Sequence, residues 1–324
     1  IYNEFSSGKQ DPSAIRDFVR MMYNKADSNN RQMYLLLLGD ASYDYKDRVP
    51  SNTNFVPTYQ SIEALKLGYS FVTDDYFGCL DPAEGVNGYG KSIEVGIGRF
   101  PVHTKKQADD VVNKIEAYIT MKPQVLEPWR NDIFFIAHDG DQNLHVSQAE
   151  KLQEMLDTGN HEYNRMKIYC DAFPLESTPY GDRYPDVNES IDLMMERGAL
   201  IVNYTGHGGE TGWAEQGILN IQMINAWRNW DRLPLFITAT CEFSRFDDPS
   251  IISAGEQVFL NPEGGGIGLL TTSRLAWADP NFRLNKAVYR FMFQRPNGEF
   301  YRIGDITRLA KSDQNNGTNI KNFV

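Results

Sequence analysis

The stretch Ala199-Leu200-Ile201-Val202-Asn203-Tyr204-Thr205 runs into Gly206-His207-Gly208-Gly209, and a second apolar run, Leu233-Pro234-Leu235-Phe236-Ile237-Thr238-Ala239-Thr240, stops at Cys241. Each run has the length and the β-branched or aromatic content of a strand buried on both faces. The residues between them, Ile218 to Trp230, read as a helix. Strand, helix, strand predicts two neighbouring parallel strands, and a right-handed crossover brings both carboxyl ends to one edge of the sheet. Open α/β proteins bind their ligands at that edge. Strands lie roughly 4.8 Å apart, so His207 and Cys241 are expected to face one cleft, in the order of a base and a thiol nucleophile.

Working outward, the second half carries an α/β series around these two strands. Strands are expected at Asp132 to Ala137, Arg165 to Cys170 and Gly266 to Thr272, with helices from about His145 to Leu156, Val187 to Arg197 and near Ser250 to Leu260. The result is one largely parallel sheet of about five strands flanked by helices. The first half has a helix start at Asp11-Pro12-Ser13, a helix over Ala14 to Ala26, a strand at Met33 to Gly39 and another over Ile93 to Phe100. Thr104-Lys105-Lys106-Gln107 has capping-box spacing before a helix to about Met121. Residues 40 to 92, rich in Asp, Tyr, Gly and Asn, read as long loops with short helices. Pro123 and Pro128 mark a boundary, giving an N-terminal α/β subdomain over 1–127 and a second one over 128–324.

Composition bounds the function. A chain of 324 residues is long for one core and suggests two subdomains. Its net charge of -11, with 43 acidic residues and no basic stripe, argues against a nucleic-acid partner. Apolar runs such as Leu35 to Leu38 are too short to cross a bilayer. Three widely spaced cysteines, Cys79, Cys170 and Cys241, suggest neither a disulfide framework nor a CxxC metal site. The chain opens at Ile1 and stops at Val324 just as an Asn-rich loop turns apolar, so we read it as part of something longer.

Acyl transfer through a cysteine needs a thiolate, an acid/base and donors for the oxyanion. Cys241 and His207 supply the first two, and the amides of Gly208 and Cys241 are candidate oxyanion donors. Glu242, Asp247 and Asp248 disfavour a thiolate, so His207 has to assist deprotonation. Read from the residues alone, the alternative stays open: a cysteine after an apolar strand is commonly a small buried hydrophobe, and Gly-His-Gly-Gly is also a plain turn.

Asn203-Tyr204-Thr205-Gly206-His207-Gly208, Glu210-Thr211, Trp213 and Leu233-Pro234 leading into Cys241 resemble the catalytic segment of the gingipain-like (C25) cysteine peptidases. Glu94-Val95-Gly96-Ile97-Gly98-Arg99-Phe100-Pro101 resembles the first-half strand of the same family. Within that family Ile1-Tyr2-Asn3-Glu4-Phe5-Ser6-Ser7-Gly8, Asp11 to Phe18 and Leu38-Gly39-Asp40-Ala41-Ser42-Tyr43-Asp44 are most similar to the PorU-type sortases of the type IX secretion system.

The resemblance implies a caspase-like catalytic subdomain preceded by a smaller, related α/β subdomain, with Cys241 as nucleophile and His207 as base. It places the acid that orients the histidine at Asp139, with Asp141 a near rival, and His138 is a competing base. Trp277 matches the tryptophan that walls the substrate pocket. The position of the acidic anchor for a substrate arginine falls near His145, where no acid stands, which argues against arginine specificity. Catalysis needs no cofactor. Structural calcium is an expectation of the resemblance, and Asp40/Asp44/Asp47 and Asp74/Asp75 offer oxygen ligands without EF-hand spacing, so its ligands stay unassigned.

The implied function is cleavage of the C-terminal signal domain from secreted protein cargo through a thioester, followed by water or by an amine of a surface glycolipid such as lipopolysaccharide. The implied setting is extracytoplasmic, at the outer membrane or cell surface of a bacterium, beside other secretion components. A secreted endopeptidase of broad specificity and a catalytically silent docking module are the alternatives.

Overall fold

The computed structural model describes residues 1–27, 32–63, 65, 66, 68–85, 92–120, 126–157, 159–313 and 324. The first half opens with α1 (Tyr2–Phe5) and α2 (Pro12–Lys25), the latter started by the Asp11 carboxylate, which accepts from the Ser13 amide, and by Pro12 in the first turn. β1 (Tyr34–Leu38) follows, then the antiparallel pair β2 (Tyr59–Gln60) and β3 (Val72–Thr73). β4 (Gly96–Phe100) returns parallel to β1, and α3 (Lys105–Ile119) starts with the capping box read from Thr104 and Gln107. Ile15, Val19, Leu37, Phe77 and Val95 form the core of this half.

The second half is built on β5 (Asp132–Ala137), α4 (Gly140–Glu154), β6 (Asn164–Tyr169), the hairpin β7 (Glu176–Thr178) and β8 (Gly181–Arg183), and α5 (Pro185–Arg197). Then come β9 (Ile201–Thr205), the antiparallel ribbon β10 (Gly208–Gly209), β11 (Gly212–Trp213) and β12 (Leu219–Asn220), and α6 (Ile221–Ala226). β13 (Leu235–Ala239), α7 (Ala254–Leu260), β14 (Gly268–Leu270), α8 (Ala278–Met292) and α9 (Ile303–Ser312) complete the fold.

The main sheet has the order β14-β13-β9-β5-β6, and every neighbouring pair is parallel. The α/β fold expected from the sequence is therefore present, with helices on both faces. Alternation divides its buried strands between two cores. Phe134, Ile136, Val202, Tyr204 and Phe236 face α5 and α7, whereas Ile133, Phe135, Ile201 and Ile237 face α4 and α8.

Some expected elements differ in extent. The helix read over Ile218 to Trp230 is only α6, because buried Ile218 and Leu219 join the ribbon and Asn220 then caps the helix by accepting from the Met223 amide. Trp227 leaves the helix to donate from Nε1 to Asp192 at 2.9 Å. Regular helical backbone in α4 begins only after Asp141, Gln142 and Asn143, all left-handed with φ of 54°, 57° and 61°.

The two halves are joined by packing and by buried polar contacts. Val102 and Val111 share a core with Phe259 and Leu260 of α7. The buried Lys114 ammonium of α3 donates to the carbonyls of Phe259, in the last turn of α7, and Gly264, in the loop after it, at 2.7 and 2.9 Å. His103 lies between Asp40 and Glu256, with Nδ1 3.2 Å from the first carboxylate and Nε2 3.4 Å from the second.

Candidate active site

Register in the main sheet positions the site. Ala137 of β5, Thr205 of β9 and Ala239 of β13 form one row across three adjacent strands. Asp139, His207 and Cys241 each lie two residues beyond that row, on three neighbouring strand ends. The ladder persists past the strands, since Gly206 N–H donates to Ala239 O and His138 N–H to Thr205 O.

The His207 turn is held from below. Its carbonyl accepts from the Tyr204 hydroxyl at 2.7 Å and from the Ala214 amide at 2.9 Å. Tyr204 in turn stacks on buried Trp213 at 4.1 Å between ring centroids, with the ring planes nearly parallel at 2°. A Cβ at Gly206 would lie 2.5 Å from the Tyr204 oxygen and 2.6 Å from His138 Cβ, so the chain approaches too closely here for a side chain. Because Ala214 donates to His207 O, Gly208 faces Trp213 as a non-hydrogen-bonded pair, and its own N–H is directed away from β11.

Cys241 is half-buried at the end of β13. The Thr240 carbonyl accepts from Thr272 Oγ1 at 2.8 Å and Asn281 Nδ2 at 3.0 Å, so the trans peptide directs the Cys241 N–H to the opposite side. The sulfur lies 3.3 Å from the Ala276 carbonyl, to which it donates, and 3.4 Å from the Ala276 amide. Burial raises the thiol above its ordinary pKa; the Ala276 amide opposes this and the Glu242 charge adds to it. Of the three acids named from the sequence only Glu242 adds to this; Asp247 pairs with Arg274 and Asp248 with Arg245. Glu242 follows in a left-handed conformation, φ 53°, and with Glu210 and Asp248 it surrounds Arg245.

The acid that meets His207 is Asp141, not Asp139. Asp141 Oδ2 lies 3.1 Å from His207 Nε2, and both side chains are about half exposed. Asp139 Oδ2 instead accepts from the Tyr184 hydroxyl at 2.6 Å, while its other oxygen lies 3.7 Å from His138 Nε2. The three left-handed residues after Gly140 cause the exchange: they fold Asp141 back over the strand ends while Asp139 turns toward α5. His138 is buried, and burial lowers its pKa. His145, which the sequence marked only as lacking an acid, lies with its ring 5.2 Å from that of His207.

Trp277 adjoins the Ala276 clamp on the sulfur, and its indole is 65% exposed, so it is a rim residue and not a core aromatic. Four of the acidic residues named for calcium have partners within the chain. Asp44 caps the Arg48 and Val49 amides, Asp74 pairs with Arg99, and Asp75 pairs with Lys311 at 2.6 Å. Asp40 is engaged by Thr53 and His103. A cavity of about 350 Å³ is lined by Tyr34, Gly96, Phe246, Phe259 and Leu270 and by the Asp74–Arg99 and Asp75–Lys311 pairs, but not by Cys241, His207 or Asp141.

A thiol and an imidazole at adjacent strand ends of a parallel sheet covered by helices define a caspase-like α/β layout. The chain matches peptidase family C25 over residues 1–324 and belongs to that family. Lys-gingipain of Porphyromonas gingivalis is 21% identical over 238 residues, which cover 73% of this chain and 12% of that protein. Lys-gingipain W83 of the same organism is 21% identical over 236 residues, 72% of this chain and 12% of its own length. The chain thus spans only a small part of these curated relatives. The crystal structure of the Arg-specific cysteine proteinase gingipain R aligns with a TM-score of 0.72 at 18% identity, over 100% of this chain and 68% of that one, and supports the same fold.

Proposed function

We propose that the chain is the catalytic unit of a cysteine peptidase acting as a sortase on secreted protein cargo. The observation that carries the reading is the shared row of Ala137, Thr205 and Ala239, which sets Cys241 and His207 at equivalent heights on adjacent strands. In this mechanism His207 accepts the Cys241 proton as sulfur attacks the scissile carbonyl. The amides of Gly208 and Cys241 receive the oxyanion, Asp141 orients the imidazole through Nε2, and Trp277 walls the pocket. Collapse breaks the C–N bond, and the leaving amine takes the proton from His207. Water or an amine then opens the thioester, and His207 returns the thiol proton.

The sortase reading rests on the opening motifs and on His145 standing where an arginine-directed enzyme needs an acid. On this reading the cargo is a secreted protein carrying a C-terminal signal domain, and the acceptor is water or the amine of a surface glycolipid at the bacterial outer surface. Among the described residues no helix is long and apolar enough to cross a membrane. Purified cargo with its C-terminal domain, offered beside arginine and lysine peptides, tests the proposal. Cargo cleavage with a Cys241 thioester trapped by added amine is expected; rapid peptide turnover with intact cargo points to a broad endopeptidase instead. A Cys241 that takes up no electrophilic peptide under reducing conditions would leave a docking module.

A further inference from the structure

The structure assigns a transition-metal site to Asp141, His145 and His207, and we propose that Zn2+ or a similar divalent ion bound there switches the peptidase off reversibly. The three side chains each present one ligand atom, and these atoms lie within 4.8 Å of one another. His207 Nε2 and His145 Nε2 approach the same oxygen, Asp141 Oδ2, at 3.1 and 3.4 Å. In a tetrahedral site with bonds of about 2.0–2.1 Å, neighbouring ligand atoms are about 1.63 bond lengths apart, or roughly 3.3–3.4 Å. The two observed separations already lie close to that edge.

A second observation points to a ligand. The His145 side chain is 6% exposed, and neither of its ring nitrogens makes a hydrogen bond of normal geometry, although Gln148 lies beside the ring and Asp141 Oδ2 is 3.4 Å from Nε2. A buried imidazole with Nε2 aimed at a carboxylate oxygen and an exposed imidazole is poorly served by hydrogen bonding. It is well served by a metal. Two imidazoles and one carboxylate suit zinc, cobalt, nickel or copper and not calcium, which takes six or more oxygens. The half-exposed His207 and Asp141 leave the fourth position open to solvent. Among the described residues one other such cluster, Asp40, His103 and Glu256, differs in that its imidazole is already engaged, with Nδ1 3.2 Å from Asp40 and Nε2 3.4 Å from Glu256.

The inhibitory role rests on the peptidase reading. With Nε2 of His207 on the metal, the ring proton resides on Nδ1, and no lone pair remains to accept the proton of Cys241. Nothing is oxidised or reduced, and a chelator restores the base.

The site is tested in a Cys241→Ala background, which removes the thiol as a ligand. Calorimetric titration with ZnCl2 is expected to show one ion per chain, and Co2+ to give the visible absorption of a four-coordinate site. His145→Gln and Asp141→Asn should each weaken binding roughly ten-fold or more; Asp141→Asn, half exposed and tolerant of left-handed backbone, keeps the test open if His145→Gln fails to fold. Unchanged zinc affinity in the folded variants would overturn the site. In the native chain, cleavage should be lost with ZnCl2 and regained with EDTA; zinc bound at this site with cleavage unaffected would overturn the switch. Absence of cleavage in the metal-free chain is a separate result, and it bears on the peptidase reading alone.

Discussion

At the scale of single residues the site depends on which oxygen meets His207. Asp139 and Asp141 differ by two positions, and the sequence favours the first because it directly follows β5. Three left-handed residues reverse that order. Non-glycine residues seldom adopt this conformation, and Asp and Asn are among those that do. Asp141→Asn is therefore expected to lower kcat by roughly 10²-fold through a misplaced imidazole, with little change in KM. Asp139→Ala should instead lose the Tyr184 hydrogen bond, costing about 1 kcal/mol in denaturant unfolding, and should affect kcat far less. Steady-state kinetics of the pair decides between them: an equal kcat loss in both variants would return the orienting role to Asp139. Cys241→Ala should reduce cleavage by at least about 10³-fold at unchanged stability, and retained processing would remove the nucleophile assignment.

At the scale of elements, the strand ends carry the candidate site and were the most legible part of the chain. Continuous apolar runs fix β5, β9 and β13 because a parallel strand buried on both faces tolerates little else. The Gly206-His207-Gly208 turn shows why glycine brackets the histidine: Gly206 fits beneath Tyr204 and beside His138, and Gly208 packs on Thr240. Gly206→Ala is expected to displace the Tyr204 hydroxyl from the His207 carbonyl, destabilising the fold by about 2 kcal/mol or more and lowering kcat in whatever fraction folds. Thermal unfolding together with active-site titration measures both effects. The long helix expected between β9 and β13 was not legible in its true extent. The same apolar residues, Ile218 and Leu219, serve equally as a helix face or as ribbon strands, and burial in the core chose the ribbon.

At the scale of the whole molecule, the halves meet through buried charge. Burial raises Asp40 to about 7, an effect opposed by His103 and Thr53. Burial also raises Glu256. For His103 burial alone would lower the pKa, but the Glu256 hydrogen bond and the two acidic neighbours outweigh it and raise it. All three groups hold protons more tightly in the folded state. The unfolded chain binds fewer protons between about pH 4 and 7, so this cluster stabilises most at the acid end of that range and less as pH rises through it. His103→Gln removes the charge that opposes the rise at Asp40 and Glu256, so it should steepen that slope in thermal unfolding between about pH 5 and 6. An unchanged slope would show that the bridge does not govern how the halves are held together.

Hydrophobic periodicity, glycine placement and capping residues determined the class of fold and the two strand ends, and the family resemblance singled out Cys241 and His207 there. These are local properties, legible because strand burial and turn geometry restrict residue type directly. The tertiary structure decided which carboxylate faces His207, that His145 joins it, and that the Ala276 backbone holds the sulfur. It also paired Asp74 with Arg99 and Asp75 with Lys311, and set Asp44 against the Arg48 and Val49 amides. Those contacts join residues from separate elements, and their geometry follows from sheet register and one left-handed turn, neither of which a linear pattern specifies.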